Sequence, residues 1–287
     1  MPHNQSGSTR MVVDSNALQS PQLRDYLSES ANNFAVLTDY AAIEAHKGNT
    51  LVSIFRSMAL LADFPRQVIV LKPTIVASGL RGGRREIQHR LIDHEQTRGF
   101  RKYCDRLQAA KLGDVHLRDQ ILRLGREADA QLARVRVDAI NIPAAIEAIA
   151  ENFTDAELKI IRTDLPFSEQ IASKVIKYIL LTTQSLFSQH PRPAVVRNFD
   201  GLLNTLLFRT ALCSFLWAPD WISMAGPKSV KAEKIVNDLV DVNFATFATY
   251  FDGLLSMDEK ARRIYQQRAI VLASITGEEA GRIAAGR

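Results

Sequence analysis

Met11-Val12-Val13-Asp14-Ser15-Asn16 is the stretch on which the fold turns. Three apolar residues in a row, stopped by a carboxylate, read as a short buried strand. Further along, the same texture returns twice. Phe34-Ala35-Val36-Leu37 precedes Thr38 and Asp39, and Val68-Ile69-Val70-Leu71 is stopped by Pro73. Between these two runs the period changes. Tyr40 to Lys47 makes a short helical pattern that ends at Gly48. Thr50 to Ala62 makes a longer one, with Leu51, Ile54, Met58 and Leu61 spaced by three and four. Strand and helix thus alternate over residues 11–73, the signature of an α/β fold with a parallel β-sheet flanked by helices.

After Ser78 the strand-like runs stop. Residues 79–136 are charged and helical in pattern, with fourteen Lys and Arg against eight Asp and Glu. That surplus of six accounts for the whole chain's net charge of +5. Thr154-Asp155-Ala156-Glu157 is a capping-box pattern ahead of Leu158, Ile160 and Ile161. Ser168 to Phe187 carries Ile171, Val175, Ile179 and Leu186 at helical spacing, and Asn198 to Leu216 is apolar enough for a buried helix. Gly226-Pro227 marks a break. Ser229 to Phe251 reads as one long helix closed by Gly253, Leu254-Leu255-Ser256 as a strand ending near Asp258, and Glu259 to Gln267 as a further helix. The expected organisation is a tail at 1–10, an α/β core at 11–78 and 226–275, an all-helical insertion at 79–225, and a C-terminal segment at 276–287.

Composition bounds the classes. Of 287 residues 46% are hydrophobic and 23% charged, a globular balance. Mean hydropathy is −0.07, and the most apolar stretch, 202–224, is interrupted by Arg209, Pro219 and Asp220, so no membrane partner is expected. Cys104 and Cys213 are too few for a disulfide scaffold or a Cys-rich zinc module. Two isolated thiols suit a reducing compartment, and Met1 to Arg10 has no apolar signal core, so a soluble, cytoplasmic protein is expected.

The chemistry lies in the acids. Asp14 and Asp258 follow short strands, Glu44 sits on the helix after the second strand, and Asp238 and Asp241 share a face of the helix before the last. Ligand sites in parallel sheets open at the carboxyl ends of strands. Carboxylates converging there repel one another unless a hard divalent cation offsets the charge, and Mg²⁺ and Mn²⁺ take such oxygen ligands and pair with phosphate.

These segments resemble the motifs of PIN-domain nucleases. Met11 to Asn16 resembles that family's opening strand. Leu37-Thr38-Asp39-Tyr40-Ala41-Ala42-Ile43-Glu44-Ala45 resembles its second acidic motif, Asp241 to Ala248 its third, and Gly253-Leu254-Leu255-Ser256-Met257-Asp258 its last. The match covers residues 11–75 and 229–270, and the long helical block between the second and third motifs departs from small members of the family. The resemblance implies a PIN-like core and a ribonuclease using Mg²⁺ or Mn²⁺. Asp14, Glu44, Asp241 and Asp258 would be the catalytic, metal-binding quartet, with Asp238 an extra ligand or a substitute for Asp241. Asn16, Asp39 and Ser256 would orient the carboxylates. RNA or another single-stranded nucleic acid is the expected substrate, gripped by basic residues of the insertion, chiefly Arg81, Arg84, Arg85 and Arg101. A toxin or defence effector, held silent by a regulatory protein partner or by homo-oligomerisation, would fit that description. The alternative is a non-catalytic PIN-like module that binds nucleic acid or protein partners through the helical insertion.

Other features have plainer readings. Gly79-Leu80-Arg81-Gly82-Gly83-Arg84-Arg85 is either a phosphate-gripping turn or a basic hinge, and it matches no P-loop. His89, Asp93 and His94 lack further ligands in reach and read as surface residues. Cys104 and Cys213 read as inert thiols, and Trp217 and Trp221 either stack on bases or fill a helix corner.

Overall fold

A computed structural model describes residues 7–47, 50–161, 168–196, 198–223 and 232–276. Two compact units divide the chain: residues 1–77, 84–134 and 250–259 form the first, and 78–83, 135–249 and 260–287 the second.

The first unit is built on a four-stranded parallel sheet. Its strands are β1 (Thr9–Val13), β2 (Asn33–Leu37), β3 (Val68–Val70) and β4 (Gly253–Leu255), in the order β3-β2-β1-β4. Met11 is level with Ala35 and Gly253, and Ala35 with Val68. Val12, Val13, Ala35 and Val36 are wholly buried, and each such valine contributes roughly 1.5–3 kcal/mol of burial. The central strands are therefore unbroken apolar runs rather than alternating ones, as strands covered on both faces must be.

Helices join the strands. After β1 comes a single 3₁₀ turn, Ser15–Ala17, and then α1 (Pro21–Glu29). Ser20 caps α1 and Pro21 opens it, a start signal that the apolar periodicity alone overlooks. Between β2 and β3 lie α2 (Asp39–His46) and α3 (Leu51–Asp63), whose N-caps are Thr38 and Thr50. Gly48, the expected end of the first of these, lies outside the described residues.

The basic segment belongs to this unit. After a short α4 (Thr74–Ala77) come α5 (Arg84–Leu91), α6 (His94–Lys111) and α7 (Val115–Asp138), which enters the second unit at residue 135. Ile92 makes an antiparallel bridge to Leu71. The Val70 N–H donates to the Thr97 hydroxyl at 3.0 Å, and α6 packs on both β3 and α3. Edge strand β3 is thereby covered, as an exposed edge requires. The boundary expected at residue 78 does not coincide with the contacts, because residues 84–134 cluster with the sheet's unit through α6 on β3.

The second unit is helical: α8 (Ile142–Ala150), α9 (Asp155–Ile161), α10 (Glu169–Gln189), α11 (Phe199–Leu203), α12 (Leu206–Ser223), α13 (Ala232–Ala248) and most of α14 (Glu259–Thr276). Its core gathers Val175, Ile179, Phe208, Leu212, Phe215 and Trp217, with α12 packed between α10 and α13. The capping box at Thr154 forms in full. Glu157 N–H donates to the Thr154 hydroxyl, and Thr154 N–H donates to the Glu157 carboxylate at 2.7 Å.

Several boundaries differ from expectation. Thr9 and Arg10, placed in the tail, begin β1, while residues 1–6 lie outside the described part. The apolar run 198–216 is two helices, because the Thr205 hydroxyl accepts the Phe208 N–H and starts a new one. The helix expected to reach Phe251 ends at Ala248, and Gly253 opens β4 instead of capping a helix. The Gly226-Pro227 break and residues 277–287 fall outside the described residues.

Candidate active site

Asp14 leaves β1 at its carboxyl end and is 1% exposed. Three donors converge on it. The Ser256 hydroxyl, just past β4, donates to Oδ2 at 2.5 Å; the Ser15 hydroxyl and the Asn16 N–H reach Oδ1 at 3.2 and 3.4 Å. Glu44, on α2, meets the same Ser15 hydroxyl through a very short contact to Oε2. One hydroxyl thus sits between two carboxylates, and it has a single proton to give.

That shortage has a chemical consequence. Burial raises the Asp14 carboxyl above its ordinary value; the Ser256, Asn16 and Ser15 hydrogen bonds oppose the shift, and the charge of Asp258 adds to it. Burial likewise raises Glu44, opposed by Ser15 and Lys47 and reinforced by Asp14. The pair therefore favours retaining a proton. With Glu44 protonated, its O–H donates to Ser15 and Ser15 donates to Asp14.

Asp258 stands at the mouth of this cluster. Its N–H donates to the Ser256 hydroxyl at 3.0 Å, so Ser256 gives its proton to Asp14 and accepts from the following turn. Asn16 accepts the Met257 N–H at 2.9 Å through its Oδ1. Its side chain ties the β1 and β4 turns together and does not orient a carboxylate directly. Lys47 Nζ lies 3.9 Å from Glu44 Oε1. Neither Ser15 nor Lys47 was assigned a role from sequence, although Lys47 follows Glu44 by one helical turn.

The remaining expected residues fall elsewhere. Asp39 is engaged in structure: its carboxylate accepts from the Thr74 N–H and hydroxyl, each at 2.7 Å, and from the Tyr40 N–H. It pins α4 to the start of α2. Asp238 belongs to the second unit, where it is buried and paired with Lys260 Nζ at 2.6 Å. A cation already neutralises that carboxylate, which removes the reason to draw a metal ion to it. Asp241 is half-buried on α13 of the same unit.

The basic residues also divide. Arg101 is exposed and lines a cavity with Arg66, Gln67 and Asp105, at the amino end of β3. Asp14 lies at the opposite, carboxyl edge, roughly four residues or about 13 Å along the strands. Arg101 therefore does not accompany the acidic cluster. Arg85 is exposed on α5, Arg81 is exposed in the second unit, and the side chain of Arg84, like that of Trp221, lies outside the described part. The rings of His89 and His94 meet at a tilt with centroids 4.8 Å apart, and Asp93 caps α6. Cys104 and Cys213 are buried and both thiols are pushed up to about 11 by that burial, so neither is a ready nucleophile. Trp217 is buried in the helical core.

Among the described residues, no three His, Cys, Asp or Glu side chains stand together as a formed metal cage, and no helix is long and apolar enough to cross a membrane. The donors that do converge are all oxygens: two carboxylates around one hydroxyl, with a third carboxylate close enough to act on Asp14 by its charge. That set fits Mg²⁺ or Mn²⁺, which need only one or two protein carboxylates and fill their shell with water and phosphate. Compared with family models, with curated proteins and with solved structures, the chain finds no match in any of the three.

Proposed function

We propose that this chain is a divalent-metal-dependent nuclease acting on RNA by endonucleolytic hydrolysis. The observation that carries the reading is the pairing of Asp14 with Glu44 across Ser15 at the carboxyl edge of a parallel sheet. Two like charges held a few ångströms apart in a buried site weaken the fold unless something neutralises them. A cluster with no such benefit to stability has the character of a functional site. When bound, Mg²⁺ or Mn²⁺ would supply an activated water and charge stabilisation at phosphorus.

The protein's own groups have distinct parts in this reading. Asp14 and Glu44 are the ligands, and Asp258 adds negative charge at the mouth. Ser256 holds Asp14 in one rotamer, and Lys47 partly offsets Glu44. The four motifs that resemble PIN-domain nucleases support the same conclusion for Asp14, Glu44 and Asp258. Asp238 is not carried into this reading, because it is paired with Lys260; Asp241, the residue matched to the third motif, lies on α13 of the second unit.

The test is cleavage of labelled single-stranded RNA, structured RNA and single-stranded DNA by the purified chain, with Mg²⁺, Mn²⁺ or EDTA. RNA cleavage that EDTA stops is expected. Asp14→Asn should lower it at least about a hundredfold, a loss near 2.7 kcal/mol in the barrier, while circular dichroism stays unchanged. Cleavage by Asp14→Asn at the wild-type rate would remove this site from the chemistry. Metal-independent binding without cleavage would favour a module that only holds nucleic acid.

A further inference from the structure

A cavity of about 630 Å³ opens in the first unit, beside the face of α2 that carries Ala42, Ile43 and His46. Glu44 is turned roughly opposite on that helix, so the cavity is separate from the carboxylate cluster. Its walls are apolar at Leu37, Met58, Val70 and Phe100, and its mouth carries Lys102 and Arg106 against Glu95 and Glu127. The rim is thus charge-balanced and selects neither an anion nor a cation.

Two features show that the space is shaped for a guest. The first is Gly99, in the middle of α6 and on the cavity wall. Its φ is not positive, and a Cβ built on it meets nothing within 4 Å. Neither backbone conformation nor close packing calls for glycine here, yet a mid-helix glycine costs about 0.8–1 kcal/mol against alanine. Its one structural effect is to keep the wall open.

The second is the polar pair in the lining. His46 Nδ1 lies 2.7 Å from the Ala42 carbonyl oxygen, and Nε2 lies 3.0 Å from the Tyr103 hydroxyl. A carbonyl only accepts, so Nδ1 bears the proton of the neutral ring. Nε2 is then the acceptor, and the Tyr103 O–H donates to it. The donors of both groups are used, and the lone pairs of the Tyr103 oxygen are what remains. The pair can accept from a guest and cannot donate to one.

We propose that this cavity is a binding site for an uncharged, largely apolar small molecule that carries an N–H or O–H donor. The donor meets the Tyr103 oxygen, and the apolar body lies along Gly99 between α2 and α6. This assignment is independent of the nuclease reading.

Indole serves as the probe, because it pairs a flat apolar body with one N–H. Benzofuran has the same outline with oxygen in place of that N–H, and it partitions from water into an apolar site at least as readily. Titration of the full chain, followed by NMR or calorimetry, should show saturable indole binding about five- to tenfold tighter than benzofuran, the worth of one hydrogen bond. Tyr103→Phe combined with His46→Leu removes the hydroxyl oxygen without leaving the Nε2 lone pair as a substitute acceptor, and should abolish or reverse that preference. Gly99→Leu should remove binding of both probes and leave the protein folded, since leucine favours helix and the space is open. No saturable indole binding, no preference for indole, or undiminished binding by Gly99→Leu would each overturn the proposal.

Discussion

Glu44→Gln separates the energetic claim about the acidic pair from any assay of cleavage. The two facing oxygens of Asp14 and Glu44 both touch the Ser15 Oγ, which keeps them within about 6 Å of each other. Two unit charges at that separation repel by about 3 kcal/mol at an effective dielectric near 20. Solvent screening and the hydrogen bonds from Ser256, Ser15 and Asn16 recover part of this, so the gain on removing one charge is about 1–3 kcal/mol at pH 8. The substitution also resolves the proton shortage. The new side-chain amide donates an N–H to Ser15, and Ser15 then donates to Asp14.

The sign of the pH dependence follows from the direction of the shifts. Asp14 and Glu44 are raised above their ordinary values in the fold. Their contribution to stability is complete below the ordinary carboxylate range and is lost as pH rises through the raised values. Glu44→Gln should therefore gain little at pH 4.5 and the full amount at pH 8. Both tryptophans, Trp217 and Trp221, are in the second unit, so intrinsic fluorescence does not follow this site. Hydrogen exchange of the β1 amides does. In EDTA at pH 8 those amides should exchange roughly 5- to 100-fold more slowly in the variant, at 1.4 kcal/mol per decade. Saturating Mn²⁺ should reverse the order by protecting the wild type alone, by about 2.7 kcal/mol at a hundred times Kd. Faster exchange in Glu44→Gln at pH 8 without metal, or a gain that does not change with pH, would show that the two carboxylates do not strain the fold.

Ser256→Ala strips Asp14 of its shortest hydrogen bond and the Asp258 N–H of its acceptor. It should cost about 1.5–3 kcal/mol at pH 8 and less at pH 4.5, where a protonated Asp14 needs the bond less, as hydrogen exchange of β1 will report. Asp238→Asn should leave Mn²⁺ affinity unchanged while altering tryptophan emission, because Lys260 lies 5.3 Å from the Trp217 ring as well as against Asp238; a clear loss of Mn²⁺ affinity would return Asp238 to the ligand set. Lys47→Ala should reduce the log–log salt slope of RNA binding by about 0.7, one phosphate's worth, whereas Arg101→Ala at the opposite sheet edge should not. Equal effects of the two would show that the bound strand wraps both edges.

Much of the α/β unit is legible in sequence because its cues are local. β1, β2 and β3 are apolar runs ended by Asp14, Thr38 and Pro73, and Thr50 and the spacing of Ile54, Met58 and Leu61 announce α3. Where the reading failed, the deciding contact is distant in sequence or the cue has two meanings. Gly253 looks like a helix terminator, but it pairs with Met11, more than two hundred residues away. Residues 84–134 look like part of one helical insertion. The Thr97–Val70 hydrogen bonds, the Asp93–Val70 backbone bond and the Leu71–Ile92 bridge show that they close the β3 edge.

The candidate site divides along the same line. Asp14 could be read from its chain position, since a carboxylate after an apolar strand must emerge at the sheet's edge. Glu44 could be read from its place on the helix after the second strand and from the resemblance of Leu37 to Ala45 to the second acidic motif. The partners of these acids could not. Ser15 is one of many serines until it is found between two carboxylates with one proton for both. That Asp238 is paired could not be read either, since its partner Lys260 is twenty-two residues beyond it and on another helix. A sequence displays which groups can carry charge, whereas a fold decides which of those charges are already neutralised. Asp238 and Asp39 are acids whose demands the fold has met, through Lys260 in one case and Thr74 in the other. Asp14 and Glu44 are acids that share the one proton of Ser15 between them, and in the proposed nuclease that shortage is what would draw a cation and a phosphate to this edge of the sheet.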